Sequence, residues 1–255
     1  MGLSFDMDAE SVMVAAGADL HHRASLASHQ RYGPLVGVPR ILDLLAERGL
    51  NATFFVPGHT AERFPEVVDA VVEAGHEVGH HGYAHELLAG SIESDERRYL
   101  EQGLKALEAR GIRPAGYRAP WWETTDRTHR LLAEHGFAYD SSLFDADLPY
   151  RMDAGTGSIV EVPVAWALDD WERYAFWPEV TGTGVMASAS ATAEAWWEET
   201  VAYHQAGGCC VLTMHPFLSG RPARADALGR LLDQAAELED LWIAPVGEIA
   251  GRLIM

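Results

Sequence analysis

Positively charged residues are scarce in this chain. Its 255 residues include 19 Lys and Arg against 38 Asp and Glu, so the formal net charge is −19. A surface of this sign repels polyanions, which argues against nucleic acid and against an anionic membrane as partners. We interpret the acidity as an aid to solubility rather than as a sign of function.

Cysteines and long apolar runs are scarce as well. The two cysteines, Cys209 and Cys210, are adjacent, and neighbouring side chains of a strand point to opposite faces, so a disulfide between them would be strained. We expect two buried thiols in a reducing compartment. No apolar run approaches the ~18 residues that a membrane helix needs, and no basic segment precedes an apolar one at the N-terminus. The sequence therefore predicts a soluble, cytoplasmic protein.

Strand-like and helix-like segments alternate along most of the chain. Short apolar strands are expected at positions 3–5, 52–56, 77–79, 137–140, 159–162 and 209–214. Amphipathic helices are expected at positions 38–48, 65–74, 94–110, 125–135, 193–205 and 223–238. This alternation predicts a parallel sheet with helices outside, either a barrel or a doubly wound sheet, in one α/β domain over residues 1–255.

Two long segments interrupt this alternation. Residues 9–36 have mixed periodicity, and residues 164–192 are rich in Trp, Gly and Ser. Long connections in compact domains are often functional lids. We expect both segments to be loops over the mouth of the barrel.

A histidine-rich segment follows the predicted strand 77–79. His81 and His85 are four residues apart, and on a helical turn this spacing places two imidazoles on one face, where they can share a metal ion. A carboxylate from Asp8 would complete three protein ligands and leave a position for water, as in catalytic zinc sites. Imidazole and carboxylate ligands predict a divalent metal, zinc before cobalt or another first-row ion.

Acid–base groups follow other predicted strands. Asp6 lies two residues before Asp8, so both carboxylates can face one side, and Asp6 is the candidate base that takes a proton from a metal-activated water. His215 follows the apolar strand 209–214 and is the candidate acid for a leaving nitrogen. Arg118 is expected to hold Asp6 through a bidentate pair. Catalytic groups that follow several different strands are typical of a (β/α) barrel.

Aromatic and acidic residues accompany these motifs. Tryptophans in loops often form the wall of a ligand pocket, although they are equally compatible with the core. These alternatives hold for Trp121, Trp122, Trp166, Trp171 and Trp177. Two adjacent aspartates in the segment 164–192 are either turn caps or partners that orient His215. The candidate substrate-binding residues are Trp121, Trp122, Glu86, Asp169 and Asp170.

The four motifs together resemble the polysaccharide deacetylase (NodB-homology) superfamily, and the likeness extends over essentially the whole chain. The matching segments are residues 4–8, 81–85, 118–122 and 212–215. The resemblance implies a deformed (β/α) barrel of seven or eight strands. It also implies the roles given above: Asp6 as base, Asp8 and the two histidines as metal ligands, Arg118 as the residue that orients the base, and His215 as acid.

Three variant segments resemble one branch of this superfamily. They are residues 81–86, which include Gly82 and Glu86, residues 119–123, and residues 168–170. Similar variants occur in a branch that includes peptidoglycan deacetylases, cyclic imide hydrolases and allantoinase-like proteins, some of which work without a metal. Members of this branch are often oligomeric. The sequence itself indicates no subunit interface, so a homo-oligomer is left open by the resemblance alone.

The expected function is metal-dependent hydrolysis of non-peptide carbon–nitrogen bonds. The expected substrate is a small amide, an imide or an N-acetylated sugar, because a cytoplasmic location argues against a cell-wall polymer. Two alternatives stay open: a metal-independent allantoinase-like or cyclic imide hydrolase, and a non-catalytic barrel that binds a carbohydrate or metabolite. The full acid–base set argues against the second alternative, because a binding protein does not need one.

Overall fold

The computed structural model describes residues 1–20, 22–176 and 186–254. Within these ranges nine strands form one sheet: β1 (Gly2–Asp6), β2 (Thr53–Val56), β3 (Glu77–His80), β4 (Gly116–Tyr117), β5 (Tyr139–Asp140), β6 (Tyr150–Asp153), β7 (Ser158–Glu161), β8 (Val211–Met214) and β9 (Ala244–Pro245). Their order is β6-β7-β5-β4-β3-β2-β1-β8, with β9 also paired to β1. The strands are parallel except for β6, which runs antiparallel to β7. This curled sheet in a single mixed α/β domain confirms the predicted deformed (β/α)7–8 barrel.

Helices separate most of the strands. They are α1 (Ser11–Ala15), α2 (Ala24–Tyr32), α3 (Val38–Ala46), α4 (Gly58–Arg63), α5 (Pro65–Glu73), α6 (Glu93–Glu108), α7 (Thr128–Glu134), α8 (Trp171–Tyr174), α9 (Ala189–Ala206), α10 (Pro216–Ser219), α11 (Pro222–Ala236) and α12 (Val246–Ile254). A π-helical turn covers Gly33–Gly37, and 3-10 turns cover Pro120–Trp122 and Trp166–Leu168. No helix in the described ranges is long and apolar enough to cross a lipid bilayer.

The strands next to β1 are buried on both faces. Every residue of β1 and β2 is buried, and the rings of Phe5 and Phe54 stack with their centroids 4.9 Å apart. A parallel sheet that is covered on both faces has such continuous apolar strands. On one side, α3 contributes the buried residues Ile41, Leu44 and Leu45 to this core.

One glycine of the sheet is required by close packing. A Cβ atom at Gly116 in β4 would overlap the ring of Tyr139 in the neighbouring β5. The Tyr139 hydroxyl donates a hydrogen bond to Glu77 Oε1 at 3.0 Å. The absent side chain therefore leaves room for a ring that connects three strands.

The two cysteines are free thiols, as predicted. Cys210 is buried, whereas Cys209 is half-buried and corrects the prediction that both are buried. Burial raises the pKa of the Cys209 thiol to about 11, so this thiol stays protonated at neutral pH.

The segment 9–36 is largely helical, so the prediction of a loop there is corrected. It holds α1, α2 and the following π-helical turn. The helices are short, and the apolar residues Val12, Met13 and Ala27 form a small separate cluster against Trp121 and Trp171. Mixed periodicity reflects two helices with narrow buried faces rather than an irregular chain.

In the second predicted loop, 164–192, the described part carries a 3-10 turn, α8 and the start of α9. Asp169 forms an isolated parallel bridge with Thr213 of β8. This bridge brings the segment beside the strand that precedes His215. Residues 177–185, with Trp177, lie outside the described residues.

The carboxyl ends of the parallel strands meet at one end of the sheet. Asp6 ends β1, His81 directly follows β3, Arg118 directly follows β4, and His215 directly follows β8. Because parallel strands point the same way, residues from distant parts of the sequence converge at this end.

Candidate active site

His81 and His85 lie on a tight turn after β3, so the expectation of a helical turn is wrong. The backbone of His85 is left-handed, with φ +61°. The Glu86 carboxylate supports the turn, because Oε2 accepts from the amide of Tyr83 at 3.0 Å and Oε1 accepts from the amide of Ala84 at 2.9 Å. The structure therefore does not bring Glu86 to the substrate cavity, and its predicted contact with substrate is replaced by a structural role in the turn.

The turn brings both imidazoles to Asp8. Nε2 of His81 lies 3.4 Å from Asp8 Oδ1, and Nε2 of His85 lies 3.6 Å from Asp8 Oδ2. Nδ1 of His81 is 2.8 Å from the Arg118 carbonyl oxygen, so a proton on Nδ1 leaves the Nε2 lone pair directed at Asp8. One donor atom from each of the three residues lies within 4.8 Å of the others.

One observation indicates that Asp8, His81 and His85 fit a divalent metal. Both carboxylate oxygens of Asp8 are buried, and neither has a hydrogen-bond partner among the described residues. Burying an ionised carboxylate without a partner is costly. A cation bound between Asp8 and the two imidazoles would give these oxygens a partner. Carboxylate and imidazole are ligand types that zinc prefers.

The charge states of Asp8 and His85 favour cation binding. Burial opposes ionisation of Asp8, yet the imidazoles of His85, His81 and His215 hold the pKa of its carboxyl below the usual value. Burial lowers the pKa of His85 to about 4, against the opposing effect of Asp8. Asp8 is therefore ionised and His85 neutral at neutral pH, which is the state in which both bind a metal.

Asp6 is held from behind by Arg118. Nη1 of Arg118 donates to Asp6 Oδ1 at 2.8 Å and to the Ser4 hydroxyl at 2.9 Å. Nε and Nη2 of the arginine donate to the carbonyl and hydroxyl oxygens of Ser141, each at 3.0 Å. The expected bidentate pair is thus wrong, because the other guanidinium nitrogens are used by Ser141. Oδ2 of Asp6 is left 3.8 Å from His81 Nε2, on the side of the candidate metal ligands.

His215 faces Asp8 from the opposite side and is held by Asp170. Its Nδ1 lies 2.7 Å from Asp170 Oδ1, and its backbone amide donates to the same carboxylate. Ser219 also donates to Asp170 Oδ2. Nε2 of His215 lies 3.6 Å from Asp8 Oδ2. Asp170 is fully buried behind the imidazole, so it orients His215 and does not contact the cavity.

The charge of His215 follows from these carboxylates. Burial opposes its protonation, but Asp170 and Asp169 raise the pKa of the imidazole to about 10. A protonated imidazole at neutral pH is suited to donate a proton from Nε2, since Nδ1 is occupied by Asp170.

A cavity of ≈ 130 Å³ opens beside these groups. In addition to Asp6, Asp8, His81, His85 and His215, it is lined by Trp121, Trp122, Trp166, Trp171, Asp169 and Glu172. The backbone of Trp121 and Trp122 is left-handed, with φ +60° and +54°, a conformation that costs of order 1–3 kcal/mol for a non-glycine residue. The surrounding packing must therefore hold this wall in place.

Asp169 contributes an acidic group to the wall. Burial raises the pKa of its carboxyl to about 8, with Asp170 adding to this effect and His215 opposing it. An uncharged carboxyl can donate a hydrogen bond. Asp169 is therefore equipped to bind a substrate oxygen.

The sequence prediction missed Glu172 and left Trp166 and Trp171 undecided. Glu172 is the second residue of α8 with no motif around it, and nothing in its neighbourhood signals a cavity residue. The two tryptophans become assignable only through spatial neighbours: Trp166 packs on Trp122 with ring centroids 4.6 Å apart, and Trp171 packs on His215 at 5.4 Å.

A curled parallel barrel with a candidate metal triad, a held carboxylate and a held imidazole at one end defines a hydrolase. Comparison with known proteins agrees. The family model for polysaccharide deacetylase matches residues 32–139. The peptidoglycan deacetylase of Helicobacter pylori is 33% identical over 214 residues, which cover 73% of each chain. A peptidoglycan deacetylase-like protein of Gibberella zeae is 31% identical and covers 76% of this chain and 65% of its own length.

Solved structures show the same relationship. A Mycobacterium smegmatis protein named "putative polysaccharide deacetylase" is 48% identical, with a TM-score of 0.96 over 98% of this chain and 88% of its own. Puue allantoinase is 26% identical, with a TM-score of 0.83 over 98% of this chain and 88% of its own. The chain belongs to the polysaccharide deacetylase family, whose members are hydrolases of carbon–nitrogen bonds other than peptide bonds.

Proposed function

We propose that this protein is a metal-dependent hydrolase of a small amide, a cyclic imide or an N-acetylated sugar, with a divalent ion, zinc before cobalt, held by Asp8, His81 and His85. The observation that carries the proposal is the pair of buried, unpartnered Asp8 oxygens facing two imidazoles. A divalent cation bound there would polarise a carbonyl group and lower the pKa of water toward ~7.

The protein's own side chains supply the proton transfers. Asp6 accepts a proton from the attacking water at Oδ2, because Arg118 occupies Oδ1. The water oxygen bonds to the carbonyl carbon, and the carbon–nitrogen bond then breaks. His215 donates a proton from Nε2 to the leaving nitrogen, while Asp170 holds the opposite edge of the ring. Every proton then has a source and an acceptor.

The size and lining of the cavity support a small substrate. A space of ≈ 130 Å³ holds a single ring or an acetamido group. The Trp121 and Trp122 walls can pack on a planar or sugar ring, and Asp169 can donate to its oxygen. The likeness to Puue allantoinase also supports small cyclic amides, with hydrolysis of a cyclic imide or ureide as the second candidate function.

A substrate panel tests the proposed chemistry. We expect kcat/KM to be at least about tenfold higher for small imides, ureides or N-acetylglucosamine than for N-acetylglucosamine oligomers. A tenfold ratio corresponds to ~1.4 kcal/mol in transition-state free energy. Activity should be lost on chelation and restored by zinc or cobalt. Strong turnover of oligomers without turnover of small substrates would contradict the small-substrate proposal, and full activity after chelation would favour the metal-independent alternative.

Substitution of Asp170 tests the orientation of His215. We expect Asp170→Asn to lower kcat by about 10²- to 10⁴-fold with little effect on KM, because an amide can present its NH₂ to Nδ1 and favour the wrong tautomer. The neighbouring Asp169→Asn is the matched variant, and it should act mainly on KM. The measurement is a pair of steady-state profiles against pH. Equal effects of both substitutions on kcat would show that Asp170 has no special role.

A further inference from the structure

A second group of candidate ligands lies outside the cavity. It combines His129 of α7, Asp140 at the end of β5 and Glu161 at the end of β7. His129 Nε2 is 3.0 Å from Asp140 Oδ2, and one donor atom from each residue lies within 4.8 Å of the others. Three different elements of the fold thus present metal-ligating atoms to one point.

Glu161 supplies an independent indication of a missing ligand. Its side chain is fully buried, and Oε2 has no hydrogen-bond partner among the described residues. The other oxygen, Oε1, accepts from the amides of Ser142 and Leu143 at 3.0 and 2.9 Å. Oε1 of this carboxylate therefore has hydrogen-bond donors, whereas the buried Oε2 has none among the described residues.

The charges of the cluster are unbalanced. Asp140 and Glu161 are both 0% exposed, and within the described residues no Lys or Arg forms an ion pair with either. A single imidazole cannot neutralise two buried carboxylates, and an uncompensated buried charge is strongly destabilising. The cluster therefore needs either a cation or an additional proton.

We propose that His129, Asp140 and Glu161 bind a second divalent first-row cation, of the zinc class, at a site separate from Asp8, His81 and His85. One imidazole and two carboxylates are a ligand set that zinc and manganese accept. The side chain of His129 is 15% exposed, which gives an ion a route to the otherwise buried group.

The position of this site gives it a structural effect on the active site. The Ser142 hydroxyl donates to Asp140 Oδ1 at 2.6 Å and accepts from the amide of Ala119 at 2.9 Å. The adjacent Ser141 accepts two hydrogen bonds from Arg118. A cation on Asp140 therefore fixes the backbone that positions Arg118, without contacting the substrate.

Metal stoichiometry in a variant without the first site tests this proposal independently of the proposed function. Asp8→Asn protein, stripped with a chelator, is titrated with zinc and separately with manganese. We expect one bound equivalent of zinc or manganese and, at free ion about 100-fold above Kd, a Tm increase of about 5–10 °C. The readouts are elemental analysis after removal of free ion and thermal melts.

The same titration of Asp8→Asn combined with His129→Gln should show no stoichiometric binding and no increase in Tm. Glutamine can keep a hydrogen bond to Asp140, and the position is partly exposed, so folding is expected to survive. His135→Gln, at the end of α7, is the matched control for loss of a histidine and should keep the bound equivalent. Absence of binding in Asp8→Asn, or unchanged binding after His129→Gln, would overturn the proposal and assign a proton to the cluster.

Discussion

Asp8→Asn should abolish binding at the Asp8–His81–His85 site and lower kcat/KM by about 10³-fold or more. This loss of activity is larger than the 10- to 100-fold fall in metal affinity that follows removal of a residue hydrogen-bonded to a metal ligand. Asp8 is itself a candidate ligand, and it is the sole carboxylate among the three. A neutral amide also removes the negative charge that attracts the cation. Elemental analysis and steady-state kinetics on the same preparation check both parts.

The metal-free Asp8→Asn protein should be less stable than the metal-free parent. The imidazoles of His85, His81 and His215 hold the pKa of the Asp8 carboxyl below its usual value, so the ionised carboxylate stabilises the folded state, and asparagine removes that charge. A matched substitution, Asp43→Asn, changes an exposed carboxylate on α3 and should leave activity and metal content unchanged. Parental activity in metal-depleted Asp8→Asn would eliminate the metal from the mechanism.

Asp6→Asn should lower kcat by about 10²- to 10⁴-fold while the protein keeps its metal, because a positioned base contributes a factor of this size. The amide oxygen can still accept from Arg118, so the guanidinium keeps partners at Asp6, Ser4 and Ser141. The amide cannot take a proton from water at neutral pH. The measurement is kcat together with bound metal per chain, with Asp43→Asn again as control.

Two results would contradict this role of Asp6. Unchanged turnover would show that another group removes the proton. Loss of metal together with activity would show that Asp6 acts as a ligand, which its 3.8 Å separation from His81 Nε2 does not favour. Thermal melts of both variants separate these outcomes from a general loss of folding, because a buried arginine left unpaired is expected to lower Tm.

Local patterns in the sequence were sufficient to predict a parallel α/β sheet and the strand ends that carry Asp6, His81 and His215, and the resemblance of the motifs implied the deformed barrel. Apolar runs bounded by Gly and Pro mark buried parallel strands, and polar residues that directly follow them have few structural explanations. The family relationship is confirmed by the relatives and the fold.

Short elements could not be predicted in this way. The helices of the 9–36 segment and α4 are at most nine residues long, too short for a helical period to stand out from noise. β6 alternates half-buried and exposed residues at the edge of the sheet, so it lacks the apolar run that identified the other strands.

The way in which hydrogen bonds are divided among the partners could also not be predicted from the sequence. The nitrogens of Arg118 are divided among Asp6, Ser4 and Ser141 because β1 and β5 flank it in space, and spacing along the chain contains no such information. Glu86 lies beside His85 in sequence but points back to its own turn. Which of Asp169 and Asp170 holds His215 depends on the bridge between Asp169 and Thr213.

The bridge between Asp169 and Thr213 couples the lining of the cavity to the surroundings of His215, the proposed acid. The short stretch 166–171 supplies the ring of Trp166 and the ring of Trp171 to the cavity and the Asp170 carboxylate to His215. Selection acting on this stretch for a new substrate therefore also alters the surroundings of His215, the proposed proton donor. Diversification of this enzyme is constrained to paths on which both properties change together. The wall at Trp121 and Trp122 is coupled to the same stretch, because Trp122 packs on Trp166 and Trp121 packs on Trp171.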